Sequence, residues 1–267
     1  SGTTYTLQYN PITYTISDAS LATVSTYGTV TLTGTAVGTS TITAIQPETR
    51  NYARKSVTAS LVVSAIAPTI GTLTVPAKNF GDVAFDLTAP TSNSNGAFSY
   101  TSSDPGVATV GSGGTVTIIG AGTTTITATQ DASGNYAAGS VTASLVVSPI
   151  APTIGAFTVP AKNFRDAAFS LTAPTSDSSG AFTYISSAPS VATVTSSGGV
   201  VTIVGAGTAT ITATQDACGN YTGGSSVTAA LVVSPIAPTI GALTIPEKRI
   251  NDISFNLTAP SSNSNGA

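Results

Sequence analysis

The side chains that most often perform catalysis are scarce in this chain. Its 267 residues include no His, a single Cys and eleven Asp or Glu residues, which are scattered along the sequence. General acid–base and nucleophilic catalysis usually need a His, a Cys with a partner or a pair of carboxyl groups, and calcium sites need several carboxylates in one loop. We therefore expect no enzymatic activity, no catalytic or metal-binding residue and no cofactor.

Two asparagines stand in N-glycosylation patterns, and they are the remaining candidates for chemistry. The patterns are Asn220-Tyr221-Thr222 and Asn256-Leu257-Thr258, and such tripeptides are used as glycan acceptors when they lie in exposed loops of secreted proteins. Asn256 is predicted to lie within a strand, which makes it the poorer acceptor. Cys218 is predicted to lie in an exposed turn and to take no part in any linkage.

Charge and hydropathy exclude several classes of partner. Only 7% of the residues are charged, the net charge is −3, and the eight Lys and Arg residues form no large cluster, so we expect no nucleic-acid binding. No uninterrupted apolar run approaches the length of a membrane span, so membrane insertion is not expected. The hydrophobic fraction of 41% is typical of a folded chain. The absence of Met indicates a processed product or a piece of a longer chain.

Internal repetition sets the domain organisation. The tetrapeptide Pro-Thr-Ile-Gly begins at residues 68, 152 and 238, so it recurs after 84 and 86 residues. This spacing predicts immunoglobulin-like repeats in 1–64, 65–148 and 149–234, named here copy 1, copy 2 and copy 3. Residues 235–267, named the tail, are predicted to be the opening segment of a further repeat. The joints at Pro149 and Pro235 are proline-rich and therefore stiff.

Within copy 2 the apolar residues alternate with polar ones, which predicts half-buried strands. Seven strands are predicted, at 70–75, 84–87, 98–102, 107–110, 115–119, 123–130 and 141–147. In the stretch from Thr123 to Thr129, Ile126 and Ala128 are predicted to face the core and the threonines to face solvent. The fold class that follows is all-β, with tandem immunoglobulin-like β-sandwich domains arranged in a rod.

The aromatic and lysine residues that recur between repeats have structural interpretations. Tyr52, Tyr136 and Tyr221 follow corresponding turns, and we predict that they close one end of each core rather than stack on a ligand. Lys78, Lys162 and Lys248 occupy the same place in successive repeats. Each is predicted to lie in a solvated turn before a strand, and the alternative is an intramolecular bond between the lysine and a neighbouring asparagine.

The strand sequences carry a family resemblance. The phrase from Phe98 to Val110, followed by Thr115–Thr123 and Thr125–Thr129, resembles bacterial immunoglobulin-like domains of group 2, and it recurs in 182–213 and more loosely in 12–44. The resemblance implies tandem sandwiches of the kind found in stalks of surface adhesins and in viral and phage structural proteins. It implies an extracellular, cell-surface or virion-surface location and no catalysis.

The two ends of the sequence complement each other. Copy 1 begins without the opening segment that copies 2 and 3 have, and the tail is an opening segment that no sandwich follows. One interpretation is an arbitrary cut from a longer array, with flanking repeats of the same chain as the partners. The other is donation of the tail to the next subunit, which would build a head-to-tail filament. The apolar residues available for insertion are Ile240, Leu243, Ile245, Phe255 and Leu257.

Two functions therefore remain open from the sequence. The first is a structural repeat protein that forms an extracellular fibre, with further copies of itself as partners. The second is an adhesin stalk or viral fibre segment that also contacts glycans. A glycan-binding surface would require exposed aromatic side chains, whereas most Tyr and Phe residues are predicted to fill core positions.

Overall fold

The computed structural model describes residues 11–264, which form short, mostly antiparallel strands joined by turns, with no helix among them. Nothing in this range is therefore a helix long and apolar enough to cross a membrane. The chain divides into two compact units, residues 1–148 and 149–267. The first unit contains copies 1 and 2, and the second contains copy 3 and the tail.

Copy 2 is a sandwich of a four-stranded and a three-stranded sheet. Its strands are β6 (Lys78–Asn79), β7 (Phe85–Asp86), β8 (Phe98–Ser102), β9 (Ala108–Val110), β10 (Thr115–Ile118), β11 (Gly122–Gln130) and β12 (Gly139–Ser148). The sheet orders are β6-β12-β11-β8 and β7-β10-β9. All neighbours run antiparallel except β6 and β12, which run parallel.

Copy 3 repeats this architecture in the second unit. Its strands are β13 (Lys162–Asn163), β14 (Phe169–Ser170), β15 (Phe182–Ser186), β16 (Ala192–Val194), β17 (Val200–Ile203), β18 (Gly207–Gln215) and β19 (Ser226–Ser234). The sheet orders, β13-β19-β18-β15 and β14-β17-β16, correspond strand for strand to those of copy 2.

Copy 1 has smaller sheets within its described residues. Its strands, counted β1 to β5 because they come first in the chain, are Thr13–Ile16, Ala22–Val24, Val30–Leu32, Gly38–Gln46 and Lys55–Val63. They form a three-stranded sheet, β1-β4-β5, and a two-stranded sheet, β2-β3. Residues 11–64 therefore contain counterparts of five copy 2 strands and no counterpart of β6 or β7.

The core of each complete sandwich comes from the alternation of apolar residues along the strands. On β11, Ile126 and Ala128 are fully buried and pack with Leu145 and Val147 of β12. The prediction that all threonines of this stretch face outward is wrong for Thr124, which shares the inner face because side chains alternate with period two. Its hydroxyl accepts a hydrogen bond from Asp104 N at 2.9 Å, so burial leaves it satisfied.

The predicted first strand of copy 2, residues 70–75, is also wrong. The only pairing in this stretch is an isolated bridge between Ile70 and Ser92, and regular pairing begins at β6. Leu73 is nevertheless buried in the core. The apolar alternation that predicted a strand therefore reflects side-chain burial against the sandwich, which does not require a neighbouring ladder.

Candidate functional site

The opening segment of copy 2, residues 65–97, completes both sheets of its sandwich. Lys78 of β6 lies beside Val147 of β12, and Phe85 of β7 lies beside Val116 of β10. Each short strand occupies an edge, so one continuous piece of chain covers an edge in each sheet. Edges with unpaired backbone groups are the places where another strand can be added.

The joint at the start of this segment, residues 64–68, is hydrogen-bonded to the same sandwich. Ile66 N donates to Asn135 O at 3.0 Å, and Ala137 N donates to Ile66 O at 2.8 Å. In copy 3, Ile150 N donates to Asn220 O at 3.1 Å and Thr222 N donates to Ile150 O at 2.8 Å. The intervening Tyr136 and Tyr221 are half-buried, so the joint belongs structurally to the repeat that follows it.

Copy 1 has an open groove where copy 2 holds its opening segment. A cavity of about 560 Å³ is lined by Ile12, Ala44, Gln46, Thr49, Tyr52, Ala53, Lys55, Ser56 and Val57. From Ala44 onward these residues correspond, 84 positions earlier, to copy 2 residues between Ala128 and Val141. Part of that copy 2 surface lies under the opening segment, since a Cβ added at Gly139 would lie 2.8 Å from Pro68 Cγ and 3.1 Å from Ile70 Cδ1. We name the copy 1 cavity the acceptor groove.

The acceptor groove leaves apolar side chains in contact with solvent. Val57 is 63% exposed and Tyr52 is 76% exposed. The prediction that Tyr52 closes a core is therefore wrong, because Ile66 bridges to its counterpart Tyr136 and no described residue takes that place in copy 1. Val30 and Leu32 on the second sheet are also exposed, at the edge where copy 2 has β7.

The tail has the local structure of an opening segment, although no described sandwich follows it. Gly241 N donates to Ser261 O at 2.8 Å, as Gly71 N does to Thr91 O at 2.8 Å. Thr239 N donates to Asn263 Oδ1 at 2.8 Å. Arg249 N donates to Asp252 Oδ2 at 2.7 Å. Copies 2 and 3 make both of these side-chain contacts at corresponding residues. The tail therefore shares these internal hydrogen bonds with the opening segments of copies 2 and 3.

The five apolar tail residues predicted for insertion are all exposed. Ile240, Leu243, Ile245, Phe255 and Leu257 have exposed fractions between 42% and 63%. Their copy 2 counterparts are Ile70, Leu73, Val75, Phe85 and Leu87. Four of these pack in or against the core, and Ile70 lies close to Gly139, the first residue of β12. Whether the tail residues insert into another subunit stays a prediction.

The sequence analysis missed one further apolar residue of the tail. Ile250 is 93% exposed, while its counterparts Phe80 and Phe164 pack against the cores of copies 2 and 3. The backbone N of Phe80 donates to Ser148 O at 2.9 Å. An alignment of the three turns at Phe80, Phe164 and Ile250 would have shown that this position is always large and apolar.

Two of the three recurring lysines, Lys78 and Lys162, do not lie in solvated turns, whereas Lys248 is exposed and outside any strand. Lys78 and Lys162 each belong to a two-residue strand, with Nζ 4.7 Å and 4.6 Å from the centroids of Phe85 and Phe169. Lys248 Nζ lies 4.6 Å from the centroid of Phe255 in the tail. A cation above an aromatic face is attracted by the ring quadrupole, and in copies 2 and 3 this contact joins the two edge strands of the opening segment.

The two glycosylation candidates differ in exposure. Asn256 is exposed and lies outside any strand, so the prediction that it lies within one is wrong. Its copy 2 counterpart, Asp86, is in β7 only because β10 pairs with it, and nothing described pairs with the tail in this way. Asn220 is half-buried, and its carbonyl accepts the bond from Ile150.

Electrostatic perturbations in the described residues are few. Burial raises the pKa of the Tyr100 and Tyr184 phenols, whose rings lie in the cores of copies 2 and 3. Hydrogen bonds from the hydroxyl and the backbone N of Ser20 lower the pKa of the exposed Asp18. Cys218 is exposed, as predicted. Across residues 11–264, no three His, Cys, Asp or Glu side chains are grouped so as to hold a metal ion.

Sequence families agree with this architecture. The profile described as "Bacterial Ig-like domain (group 2)" matches residues 1–57. The profile described as "Intimin, immunoglobulin-like domain" matches residues 89–133 and 173–217. Together the matched segments cover more than half of the chain, and one lies in each copy. The chain belongs to the bacterial immunoglobulin-like domains and is built from tandem repeats of the type found in surface and adhesion proteins.

Similar chains among solved structures are also tandem arrays. Drosophila N-cadherin EC1-3 is 12% identical with a TM-score of 0.32, covering 87% of this chain and 92% of that one. Sidekick-1 immunoglobulin domains 1–5 are 15% identical with a TM-score of 0.36, covering 89% and 56%. Surface layer protein SbsC, domains 1–6, is 17% identical with a TM-score of 0.26, covering 94% and 39%. No curated protein sequence matches significantly.

Proposed function

We propose that this protein is the subunit of an extracellular structural fibre that assembles head to tail. The tail of one subunit occupies the acceptor groove of the next and supplies one edge strand to each of its sheets. The observation that carries the proposal is the correspondence between three sites. Copies 2 and 3 hold an opening segment, copy 1 has an open groove lined by the corresponding residues, and the tail has the same internal hydrogen bonds as the held segments.

The pairing in copy 2 supplies the register of the proposed contact. Lys78 and Asn79 lie beside Val147 and Ser148, so Lys248 and Arg249 are expected beside Val63 and Ser64 of the next subunit. On the second sheet, Phe85 lies beside Val116, so Phe255 is expected beside Val30. Strand addition of this kind combines main-chain hydrogen bonds with side-chain insertion.

Two physical terms favour assembly. Burial of the five exposed tail residues and of Val57, Val30 and Leu32 removes apolar area from water, which contributes about 25 cal/mol per Å². The internal hydrogen bonds of the tail also reduce the conformational entropy lost on binding, because the segment is already ordered. The contact joins different surfaces of the two subunits, so it does not close on itself and extends into a filament.

One position must adjust for the tail to fit. Lys55 corresponds to Gly139, where an added Cβ would lie 2.8 Å from Pro68 Cγ and 3.1 Å from Ile70 Cδ1. Copy 3 has Ser225 at this place and carries an extra residue nearby, with Gly224 N bonded to Gln215 O at 2.9 Å. The start of the tail is therefore expected to lie slightly farther from β5 than Pro68 lies from β12.

The test compares the wild-type chain with two tail variants. Light scattering and negative-stain electron microscopy should show wild-type filaments that lengthen with concentration. Leu243→Asp should leave single chains, because a carboxylate would be buried in the next subunit, and we expect assembly to weaken at least about a hundredfold. Ile253→Asp is the matched control, because Ile253 is 86% exposed and its counterpart Val83 is 82% exposed within a complete sandwich.

Two outcomes would overturn the proposal. A wild-type chain that stays single at high concentration would mean that the groove is not filled by a second copy and that flanking repeats of a longer chain are its partners. Equal assembly of the Leu243→Asp and Ile253→Asp variants would mean that any filament is held together by another surface.

A further inference from the structure

A buried glutamine fastens the opening segment in copy 2. Gln130, the last residue of β11, is only 1% exposed. Its Nε2 donates to Ser94 O at 3.0 Å and to Gly96 O at 2.9 Å, and its Oε1 accepts from Ser92 Oγ at 2.7 Å. All three partners belong to the opening segment, so one side chain from the sandwich binds the end of that segment through three hydrogen bonds.

Copy 3 contains the same arrangement. Gln215 is 1% exposed, and it accepts from Ser176 Oγ at 2.7 Å. Its Nε2 donates to Ser178 O at 3.0 Å and to Gly180 O at 2.8 Å. The two occurrences agree in partners and in distances, which indicates that this contact is a fixed part of how an opening segment is held.

Copy 1 has a glutamine at the corresponding position, and the tail has the corresponding serines. Gln46 is the last residue of β4 and lines the acceptor groove. In the tail, Ser264 N donates to Ser262 Oγ at 3.1 Å. Ser94 N and Ser178 N make the same bond to Ser92 Oγ and Ser176 Oγ, also at 3.1 Å. The turn to which Gln130 is hydrogen-bonded in copy 2 is therefore present in the tail.

We infer that Gln46 determines the register of the tail in the acceptor groove. Its Oε1 would accept from Ser262 Oγ of a second copy, and its Nε2 would donate to the carbonyl oxygen of Ser264 of that copy. This inference rests on the proposed fibre function and names the residue that gives the contact its specificity.

A polar contact is needed because apolar burial alone does not fix the register. A slip by one residue turns the apolar side chains of a strand away from the core, but a slip by two residues keeps them on the same face. In the slipped position Gln46 would lose its bonds to Ser262 and Ser264 of the second copy, so we expect the slipped contact to be about tenfold weaker. The glutamine therefore disfavours those alternatives that the apolar groove would accept.

The test is a double-mutant cycle on assembly of the full chain. Gln46→Ala and Ser262→Ala should each weaken assembly about tenfold, and the double variant should be weakened little beyond either single one. Ser262→Ala also removes a bond within the tail, but that loss would multiply with the effect of Gln46→Ala rather than overlap with it. The thermal midpoint of Gln46→Ala in the non-assembling Leu243→Asp chain separates effects on folding from effects on the contact.

The outcomes distinguish the two levels of the proposal. If wild type assembles and Leu243→Asp does not, but Gln46→Ala assembles normally or the two alanine effects multiply, then the role of Gln46 is wrong and the fibre proposal stands. If the wild-type chain stays single, both fall together.

Discussion

The same eight residues, Ser-Val-Thr-Ala-Ser-Leu-Val-Val, form 56–63 in copy 1 and 140–147 in copy 2, yet their burial differs. In copy 2, Leu145 and Val147 are fully buried and Val141 is half-buried. In copy 1, Leu61 and Val63 are only half-buried and Val57 is exposed. Both strands pair along their whole length with an antiparallel neighbour.

The difference shows that the second sheet neighbour and the opening segment, rather than the strand sequence, complete the burial. In copy 2 the strand lies between β11 and β6, and Leu73 covers the core beneath it. Copy 1 has only the β4 neighbour among its described residues. In copy 1, the strand sequence that fills a closed core in copy 2 therefore leaves apolar side chains partly exposed to solvent.

The largest effect is expected from truncating the same leucine in the two environments. Leu145→Ala should cost about 3 kcal/mol of unfolding free energy, because it leaves a cavity in a closed core. Leu61→Ala, made in the Leu243→Asp chain so that the groove stays empty, should cost about 1 kcal/mol. Hydrogen exchange of the two strands measures both losses. Equal losses of unfolding free energy would contradict this difference between the copies, since they would mean that the core of copy 1 is as closed as that of copy 2.

A smaller effect is expected at the turn that shapes the opening segments. Asn251 in the tail has φ of +79°, where copy 2 has Gly81 at +85°. Asparagine tolerates this left-handed conformation better than alanine does. Asn251→Ala should therefore weaken assembly about fivefold by disordering the free tail, and Asn251→Gly should assemble as well as wild type. Sedimentation velocity at several concentrations measures this, and an unaffected alanine variant would contradict a preordered tail.

The smallest effect concerns alkaline pH. Burial raises the pKa of Tyr100 and Tyr184, so above pH ~10 the unfolded chain loses these protons before the folded chain does. The stability that the two buried phenols contribute is fully present below that pH, and it is lost as the pH rises through their folded-state pKa values. The thermal midpoint should drop less in a Tyr100→Phe, Tyr184→Phe chain than in wild type between about pH 8 and about pH 11. A Tyr27→Phe control should match wild type. An equal drop of the thermal midpoint in all three chains would contradict the contribution of the buried Tyr100 and Tyr184 phenols.

Much of the sandwich follows from the sequence alone. The alternation of apolar residues predicted 98–102 with the bounds that β8 has, and it placed the other long strands within two residues. The repeat spacing also identified Leu243 and Phe255 as counterparts of residues that pack in copy 2. These features succeed because period-two burial and glycine turns act locally.

Other features depend on contacts between segments that are far apart in the sequence. Residues 70–75 resemble a strand but pack through side chains alone, Thr124 is buried because its hydroxyl finds partners across the sheet, and Tyr52 is exposed because nothing described covers it. Gln130 gives no signal in its own strand, since its partners lie more than thirty residues earlier. Only a comparison of all three copies shows that its position is shared.

Interchain disulfide formation tests the central claim most directly. In copy 2, Asn79 lies beside Ser148 and both are exposed, and paired neighbouring strands place Cα atoms within disulfide range. A Cys218→Ser chain carrying Ser64→Cys and Arg249→Cys should form a covalent ladder of multimers on oxidation. A control with Thr58→Cys in place of Ser64→Cys should not, because Thr58 lies about 20 Å farther along β5. Absence of the ladder, or equal ladders in both chains, would contradict donation of the tail to the acceptor groove.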